Sequence, residues 1–440
     1  MHVLPYTLSW LLPTLATAGI LVGYDEDARH GPWWRRAVLL LTSAVILVFG
    51  AHGAYRAAAI VTNLPQWDFL AFWVPARVAA LGKDFYDPRW LHRIPLPAPP
   101  SPDFSREQLD VGFLYPPWTM LLLGPLGLLR TRPAAFVWTL QQCAALLACI
   151  VVLWRVFLLE QGWRGLLFVA ALILSFQPTT ASLTYGQTNF LVLLLLVGFW
   201  TASDRISGGV YLGLAIMVKP VAAILLLYPL VRRLWRVLGG TIAVLLVAAV
   251  TSVSVFGWQV FTRYFVSNPA IKLPPTSHME GNHQSILAAV LRTRPPVEVA
   301  ALRDPLLDPT YLLLAGVLAL ITCWAIIRSR ERAIGFTLLI PCAILVYPAT
   351  ITYYGVLLIL PVLYLWRARK QLSYGSALTI LVITGLYALT RVGGGSKSAY
   401  AYLLMWAVLV LLAIHRASVA PLKSPPGAEA TFVVSRMVPL

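Results

Sequence analysis

The sequence predicts an all-α protein embedded in a lipid bilayer. Three observations carry that reading. Of 440 residues, 59% are hydrophobic and only 12% are charged, too little charge to cover a soluble domain of this size. Apolar runs of roughly 15 to 25 residues recur along the whole length, and mean hydropathy is +0.76. The formal charge of +17 gathers as small Lys/Arg clusters between those runs, the pattern of membrane-flanking loops rather than of a nucleic-acid surface.

Apolar spans are expected at 7–23, 37–61, 133–157, 165–177, 189–203, 209–231, 237–256, 310–327, 334–349, 352–366, 374–391 and 400–415. Several fall short of the roughly 20 residues that cross the hydrocarbon, so local thinning or broken helices must close the gap. The first run has no basic flank and no small-residue cleavage site before it, and is expected to be a retained span. "WTMLLLGPLGLLR" (118–130) is short and interrupted by Gly124-Pro125, which fits a helix lying in the interface. Cys143, Cys149, Cys323 and Cys342 all fall inside spans with no CxxC pair, so buried thiols are expected.

The basic stretches 29–36, 154–165, 203–209, 232–236, 328–332 and 367–371 read as cytoplasmic. Arg205 and the cluster Arg232, Arg233, Arg236 then lie on one side with a single apolar run between them. Lys219-Pro220 resolves the count by breaking that run into two short helices that enter and return, a device tolerated where it lines a cavity. The result is about 11 to 13 transmembrane helices, an extra N-terminal helix and basic loop over 1–36, a main domain over 37–416 and a cytoplasmic tail over 417–440. Residues 62–132 and 257–309, with a smaller turn at 178–189, face outside.

The polar motifs fall on that outer side. Asp68, between Trp67 and Phe69, reads either as a helix N-cap or as a general base toward a hydroxyl. Tyr115 precedes a Pro-Pro helix start. Gln187 and Asn189 sit at the mouth of a span, as sugar-binding amides or as caps. Lys219, inside an apolar run, reads as a phosphate-binding ammonium near the headgroups or as a snorkelling side chain. "HMEGNHQS" (278–285) offers His283, Asn282 and Gln284 for hydrogen bonding or acid–base work, with Arg292 and Arg294 following as phosphate contacts. Its H-x4-H spacing differs from the usual helical metal spacings. Walker A, GxGxxG, nucleophile-elbow and HExxH motifs are absent.

Taken in order, "WDFLAFWVPARVAALGKDFYD", "FLYPPW…LLLGPLGLL", "YGQTNFLVLLLL", "GLAIMVKPVAAILLLYPLVRRLWR" and "NHQSILAAVLR" resemble glycosyltransferase family 87, over roughly residues 40 to 370. The resemblance implies a GT-C fold with extracytoplasmic interfacial helices and a polyprenyl-phosphate sugar donor, usually mannose and in some relatives arabinose. It implies inversion at the anomeric carbon, extension of a lipid-linked or cell-envelope glycan, and a site on the outer face of the bacterial plasma membrane. Carried over, Asp68 is the base on the first outer loop, and Tyr115-Pro116-Pro117 the interfacial helix. Gln187 and Asn189 match the polar turn, Lys219 the Lys-Pro break, and Asn282, His283, Gln284 and Ser285 the end of the second outer segment. Two departures stand out: His283 splits the usual Asn-Gln-Ser, and Tyr353-Tyr354 stand in place of a late-span His, a pair that resembles the arabinosyl-transferring relatives somewhat more.

The chemistry expected is a single displacement with Asp68 as base and a phosphate leaving group that needs no protonation. Lys219, Arg292 and Arg294 are expected to stabilise that phosphate. Tyr115, Gln187, Asn189, Asn282, Gln284, Tyr353 and Tyr354 are expected to read sugar or acceptor, with His283 a second acid–base group or sugar contact. No cofactor is required; Asp84, Asp87 and Glu280 leave room for a divalent metal. The expected partners are the polyprenyl-phosphate donor, a glycolipid or glycan acceptor and the bilayer, with no nucleic acid. A lipid-linked sugar transporter, a non-catalytic scaffold and an oligosaccharide transferase are the competing classes. The scarcity of charge in the spans argues against the transporter. The absence of a large soluble outer domain argues against the oligosaccharide transferase.

Overall fold

Among the described residues of the computed structural model, three helices, Thr131–Phe157, Trp235–Phe256 and Pro309–Arg328, are long and apolar enough to cross a bilayer. A fourth candidate is bent by 65° between Leu159–Ser175 and Gln177–Tyr185. The structure describes residues 67–96, 113–266, 275–329, 331–369, 375–392 and 396–418, plus isolated positions before residue 67. Apart from those isolated positions, the expected spans 7–23 and 37–61, the basic stretch 29–36 and the tail beyond 418 lie outside the described residues. The long helices carry apolar side chains on their outer faces: Phe136, Leu140 and Leu147; Leu246, Val247 and Val250; Leu313, Leu320 and Ile327. Exposed stripes of this kind suit contact with lipid tails rather than water. The chain is an all-α membrane protein.

Residues 206–231 form the expected hairpin. The helix Ile206–Val218 stops at Lys219, whose backbone is extended (φ −151°, ψ 117°). Pro220 then opens a 3-10 segment, Pro220–Leu226, that leads into Leu227–Val231. A residue before proline is pushed out of the helical region, so the break is written locally in Lys-Pro. Both ends of the hairpin come back to one place. Asp204 lies 3.7 Å from Arg332, the Tyr228 hydroxyl donates to the Arg332 carbonyl at 3.2 Å, and Arg232 donates to the Ser329 carbonyl.

The hairpin is anchored by glycine. A Cβ on Gly209 would sit 2.1 Å from the Val237 carbonyl oxygen, and one on Gly240 would sit 2.5 Å from that of Ile206. The backbones of Ile206–Val218 and Trp235–Phe256 therefore touch, the small-residue packing typical of membrane helices. Thr241 Oγ1 adds a hydrogen bond to the Gly209 carbonyl at 3.0 Å.

The basic stretches among the described residues share one end of the bundle. Besides the Asp204–Arg332–Arg232 contacts, Tyr364 donates to Glu331 at 2.8 Å and Arg367 to the Val156 carbonyl at 3.1 Å. At the other end, the helix Trp67–Ala80 lies against Pro117–Leu123 and its 3-10 continuation Gly124–Leu128. There Arg77 donates to the Gly127 carbonyl at 2.9 Å and Trp73 to that of Leu129 at 3.2 Å. A Cβ on Gly127 would fall 2.1 Å from the Ala76 carbonyl oxygen. The sequence reads "FLAFWVPARVAALG" (69–82) as amphipathic. In the fold Phe69, Leu70, Phe72, Trp73, Val74, Ala76 and Val78 are all buried, because this segment packs on more than one side.

One boundary differs from expectation. Residues 178–185 are not a loose outer turn but the helix Gln177–Tyr185, and the turn itself is only Gly186–Thr188. Pro178 near its start favours helix initiation, and Gly186 ends it in the left-handed region at φ 68°.

Candidate active site

Three interruptions of the apolar helices meet at the end opposite the basic loops. They are the Gly186–Thr188 turn, the Lys219 break, and the turn before the 3-10 segment Thr352–Leu358. Asp68, in the first turn of Trp67–Ala80, reaches the same point.

A chain of hydrogen bonds joins them. Gln187 Nε2 donates to Asp68 Oδ2 at 2.5 Å. Lys219 Nζ donates to Gln187 Oε1 at 2.7 Å and to Asn189 Oδ1 at 2.6 Å. Asn189 Nδ2 passes the link on to the Tyr353 carbonyl at 2.9 Å and Ser182 Oγ at 3.2 Å. The ammonium lies 3.9 Å from the ring centre of Tyr354 and 4.9 Å from that of Tyr353. These two rings stack on each other at 5.5 Å. Lys219 has no exposed surface. An isolated ammonium there would cost several kcal/mol, so two amide oxygens and two aromatic faces are the groups that make its burial tolerable.

The structure places these sequence-predicted residues together. Asp68 is committed to a partner 119 residues away in sequence. Gln187 and Asn189 are buried members of the same chain, and Thr188 makes no side-chain capping bond. Lys219 sits behind Gln187 rather than at an open tip.

The surroundings hold Asp68 well above the ordinary carboxylate range, at about 6. Burial is the largest cause. The Gln187 hydrogen bond, the Lys219 charge and a Tyr353 hydrogen bond all pull the other way. Tyr115 lies beside Asp68, and its phenol is pushed up by burial and then by that carboxylate. Its ring packs edge-on to Phe72 at 5.4 Å, and its carbonyl accepts from Tyr86 at 2.5 Å.

The segment 275–309 docks against the same turn. His283 and Ile351 form an isolated antiparallel bridge. Gln284 is buried: its amide nitrogen donates to Thr352 Oγ1 at 2.7 Å and its oxygen accepts from Tyr402. Asn282 is exposed and its carbonyl accepts from Thr352 N at 3.0 Å. The His283 ring lies 5.5 Å from that of His278 and its Nδ1 is unpartnered. Burial, then His278 and Arg292, push His283 down to about 4, so it is a weaker proton acceptor than Asp68 at neutral pH.

Arg292 and Arg294 are both engaged by the protein itself. Arg294 pairs with Asp308 at 2.5 Å. Arg292 donates to the carbonyls of Met279 at 3.1 Å, His283 at 2.7 Å and Glu280, leaving Nη1 unpartnered. Asp87 pairs with Arg89 at 2.7 Å and Asp84 with Arg263. Among the described residues no three His, Cys, Asp or Glu side chains cluster as metal ligands.

Sequence reasoning missed the residues that hold the turns. Trp138 Nε1 donates to the Gly186 carbonyl at 2.7 Å, and Thr119 Oγ1 to the Met217 carbonyl at 2.6 Å. Ser182 and Tyr402 fix Asn189 and Gln284. A Trp or Thr within an apolar run carries no signal of its partner, so only the fold reveals these contacts.

The model of glycosyltransferase family 87 matches residues 113–361, more than half of the chain. The chain belongs to glycosyltransferase family 87. The match contains every member of the cluster except Asp68, which precedes it. An alpha-(1->3)-arabinofuranosyltransferase of Mycobacterium tuberculosis is 34% identical over 152 residues, covering 33% of this chain and 35% of that protein. The match thus spans only about a third of that relative's length. A polyprenol-phosphate-mannose-dependent alpha-(1-2)-phosphatidylinositol pentamannoside mannosyltransferase of Mycolicibacterium smegmatis is 27% identical over 313 residues, covering 70% of this chain and 72% of the relative. A polyprenol-phosphate-mannose-dependent alpha-(1-2)-phosphatidylinositol mannoside mannosyltransferase of Mycobacterium tuberculosis is 24% identical over 337 residues, covering 71% of each. No solved structure matches.

Proposed function

We propose that the protein transfers a single sugar, mannose in the first reading, from a polyprenyl-phosphate donor to a lipid-linked or cell-envelope glycan. The transfer takes place on the extracytoplasmic face of a bacterial plasma membrane, within a GT-C domain over residues 37–416. The basic stretches at the opposite end of the bundle support that orientation. The observation that carries the reading is the Asp68–Gln187–Lys219 chain at the meeting point of three broken helices.

In the reaction an acceptor hydroxyl attacks the anomeric carbon from the face opposite the phosphate, and the carbon–oxygen bond to the phosphate breaks with inversion. The proton goes to Asp68, and the electron pair stays on the departing phosphate oxygen. Asp68 is suited to accept that proton, because a carboxylate at about 6 is mostly ionised at neutral pH yet more basic than an exposed one. Lys219 keeps that carboxylate ionised through Gln187 and adds positive potential where charge builds on the phosphate. Arg292 Nη1 is the remaining outer donor for the phosphate, whereas Arg294 is neutralised by Asp308. Tyr115 and the Tyr353–Tyr354 stack supply aromatic surface for a sugar ring.

A polyprenyl-phosphoarabinose donor is the second reading, favoured by the Tyr353–Tyr354 pair and by the similarity to an arabinofuranosyltransferase. A transfer assay in nanodiscs with each donor and a membrane-lipid acceptor separates the two. Asp68→Asn is expected to lower the rate on the active donor by about 10²–10⁴-fold, the usual contribution of a general base. Undiminished transfer by that variant would remove Asp68 from the mechanism.

A further inference from the structure

A second concave site lies at the far end of the Trp67–Ala80 helix. Arg77 follows Asp68 by nine residues, a rise of about 14 Å along a helix. There a cavity of about 680 Å³ opens between Trp67–Ala80, the Lys83–Leu96 segment and Leu129–Thr131. Its wall carries four cations, Arg77, Lys83, Arg93 and Arg130, and two indoles, Trp73 and Trp90. Among the described residues that line it there is no carboxylate.

The charge is concentrated rather than scattered. Lys83 and Arg93 lie against the same Trp90 ring, 4.9 Å and 4.7 Å from its centre. Two like charges are thus brought to one ring. The nearby acids are spent elsewhere, Asp84 on Arg263 and Asp87 on Arg89. Arg77 gives Nη1 to the Gly127 carbonyl and keeps its other donors. The remaining wall is apolar: Val78, Leu81, Ile94, Pro95, Leu96 and Leu129. Leu122 and Leu128, exposed on the neighbouring interfacial segment, extend that apolar surface.

We infer that this cavity binds the phosphodiester headgroup of an anionic membrane lipid. The four cations meet the phosphate, the indoles sit at headgroup level, and the apolar rim receives the start of the acyl region. A free phosphate would satisfy the cations but leave the rim in water, which is why a lipid is the occupant the chemistry fits. The site is separate from the Asp68 cluster, and its occupancy does not depend on which sugar is transferred.

Native mass spectrometry of the full chain in detergent tests this, with dioleoyl phosphatidylglycerol titrated against dioleoyl phosphatidylcholine. Wild type is expected to retain the anionic lipid preferentially. Each Lys or Arg near an anionic lipid contributes roughly fivefold, so Lys83→Gln/Arg93→Gln/Arg130→Gln should weaken retention on the order of a hundredfold at low salt. The charge-matched Arg205→Gln/Arg236→Gln/Arg328→Gln variant, at the other end of the bundle, should leave it unchanged. Equal losses in both variants, equal retention of phosphatidylcholine, or displacement of the lipid by inorganic phosphate would each overturn the inference. If the triple variant fails to fold, the exposed single change Arg93→Gln must still cost roughly fivefold.

Discussion

Replacing Lys219 by Met should move the pH dependence of transfer rather than abolish transfer. Hydrogen bonds of 2.7 Å and 2.5 Å on either side of one amide group place the ammonium within about 7 to 8 Å of the Asp68 carboxylate. At an effective dielectric constant of about 20, that separation gives roughly 2 kcal/mol of attraction, or about 1.5 pKa units. The ammonium favours the ionised carboxylate, so its removal raises Asp68 from about 6 toward roughly 7.5. A general base must be ionised to act. The acidic limb of kcat/KM therefore moves to higher pH by that amount. At pH 7 the ionised fraction falls about fourfold, and at pH 9 the variant recovers. The Met side chain keeps most of the volume and leaves Gln187 bonded to Asp68. The assay is sugar transfer from the active donor across pH 5 to 9. A limb that stays near 6 would refute the coupling. A loss of equal size at every pH would refute it too, and would put Lys219 on the phosphate instead.

Three further outcomes test other links. Gly240→Ala should lower the thermal midpoint by an amount corresponding to about 1–3 kcal/mol, because its Cβ would meet the Ile206 carbonyl oxygen at 2.5 Å. The adjacent Gly239→Ala meets nothing within 4 Å and should be neutral or slightly stabilising. Arg294→Ala removes the ion-pair partner of Asp308 Oδ2, on a side chain only 1% exposed, while Oδ1 keeps its capping bonds from Thr310 N and Tyr311 N. It should cost about 2 kcal/mol in thermal unfolding, discounted for the partly exposed arginine, while KM for the donor stays constant. His283→Gln should leave the limb near 6 in place, since His283 is held near 4; loss of that limb in rate measurements would transfer the base role to the histidine.

The parts of this protein legible in its sequence are those written locally. Lys219-Pro220 announces a helix break by itself, and the charge balance around it calls for a hairpin; both ends of that hairpin meet at Arg332. Gly124-Pro125 likewise marks the change from α-helix to 3-10 in the interfacial segment. What the sequence hides is the contact between distant segments. Nothing near Gln187 says that its amide stands between Asp68 and Lys219, 119 residues before it and 32 after. Nothing near Arg294 says that Asp308 neutralises it. The extent of the helix Gln177–Tyr185 was obscured for a related reason: its Thr and Ser residues look like a polar turn until burial of Thr179 and Ser182 shows a packed helix.

The cost of the broken helices explains why the polar groups sit where they do. Each interruption removes backbone hydrogen bonds from a low-dielectric region, where an unmet group costs several kcal/mol. The breaks are placed so that side chains meet those groups. Asn189 takes the Tyr353 carbonyl, Trp138 that of Gly186, and Thr119 that of Met217. The Lys219 ammonium is in turn met by Gln187 and Asn189, which the Gly186 turn delivers. The same residues thus repair the breaks and carry the charge network. Asn189→Leu would therefore strip a partner from both the Tyr353 carbonyl and the ammonium. A substitution in this cluster is felt by fold and chemistry together, which is why Lys219→Met, close in volume and read by its pH profile, separates the two better than any deletion.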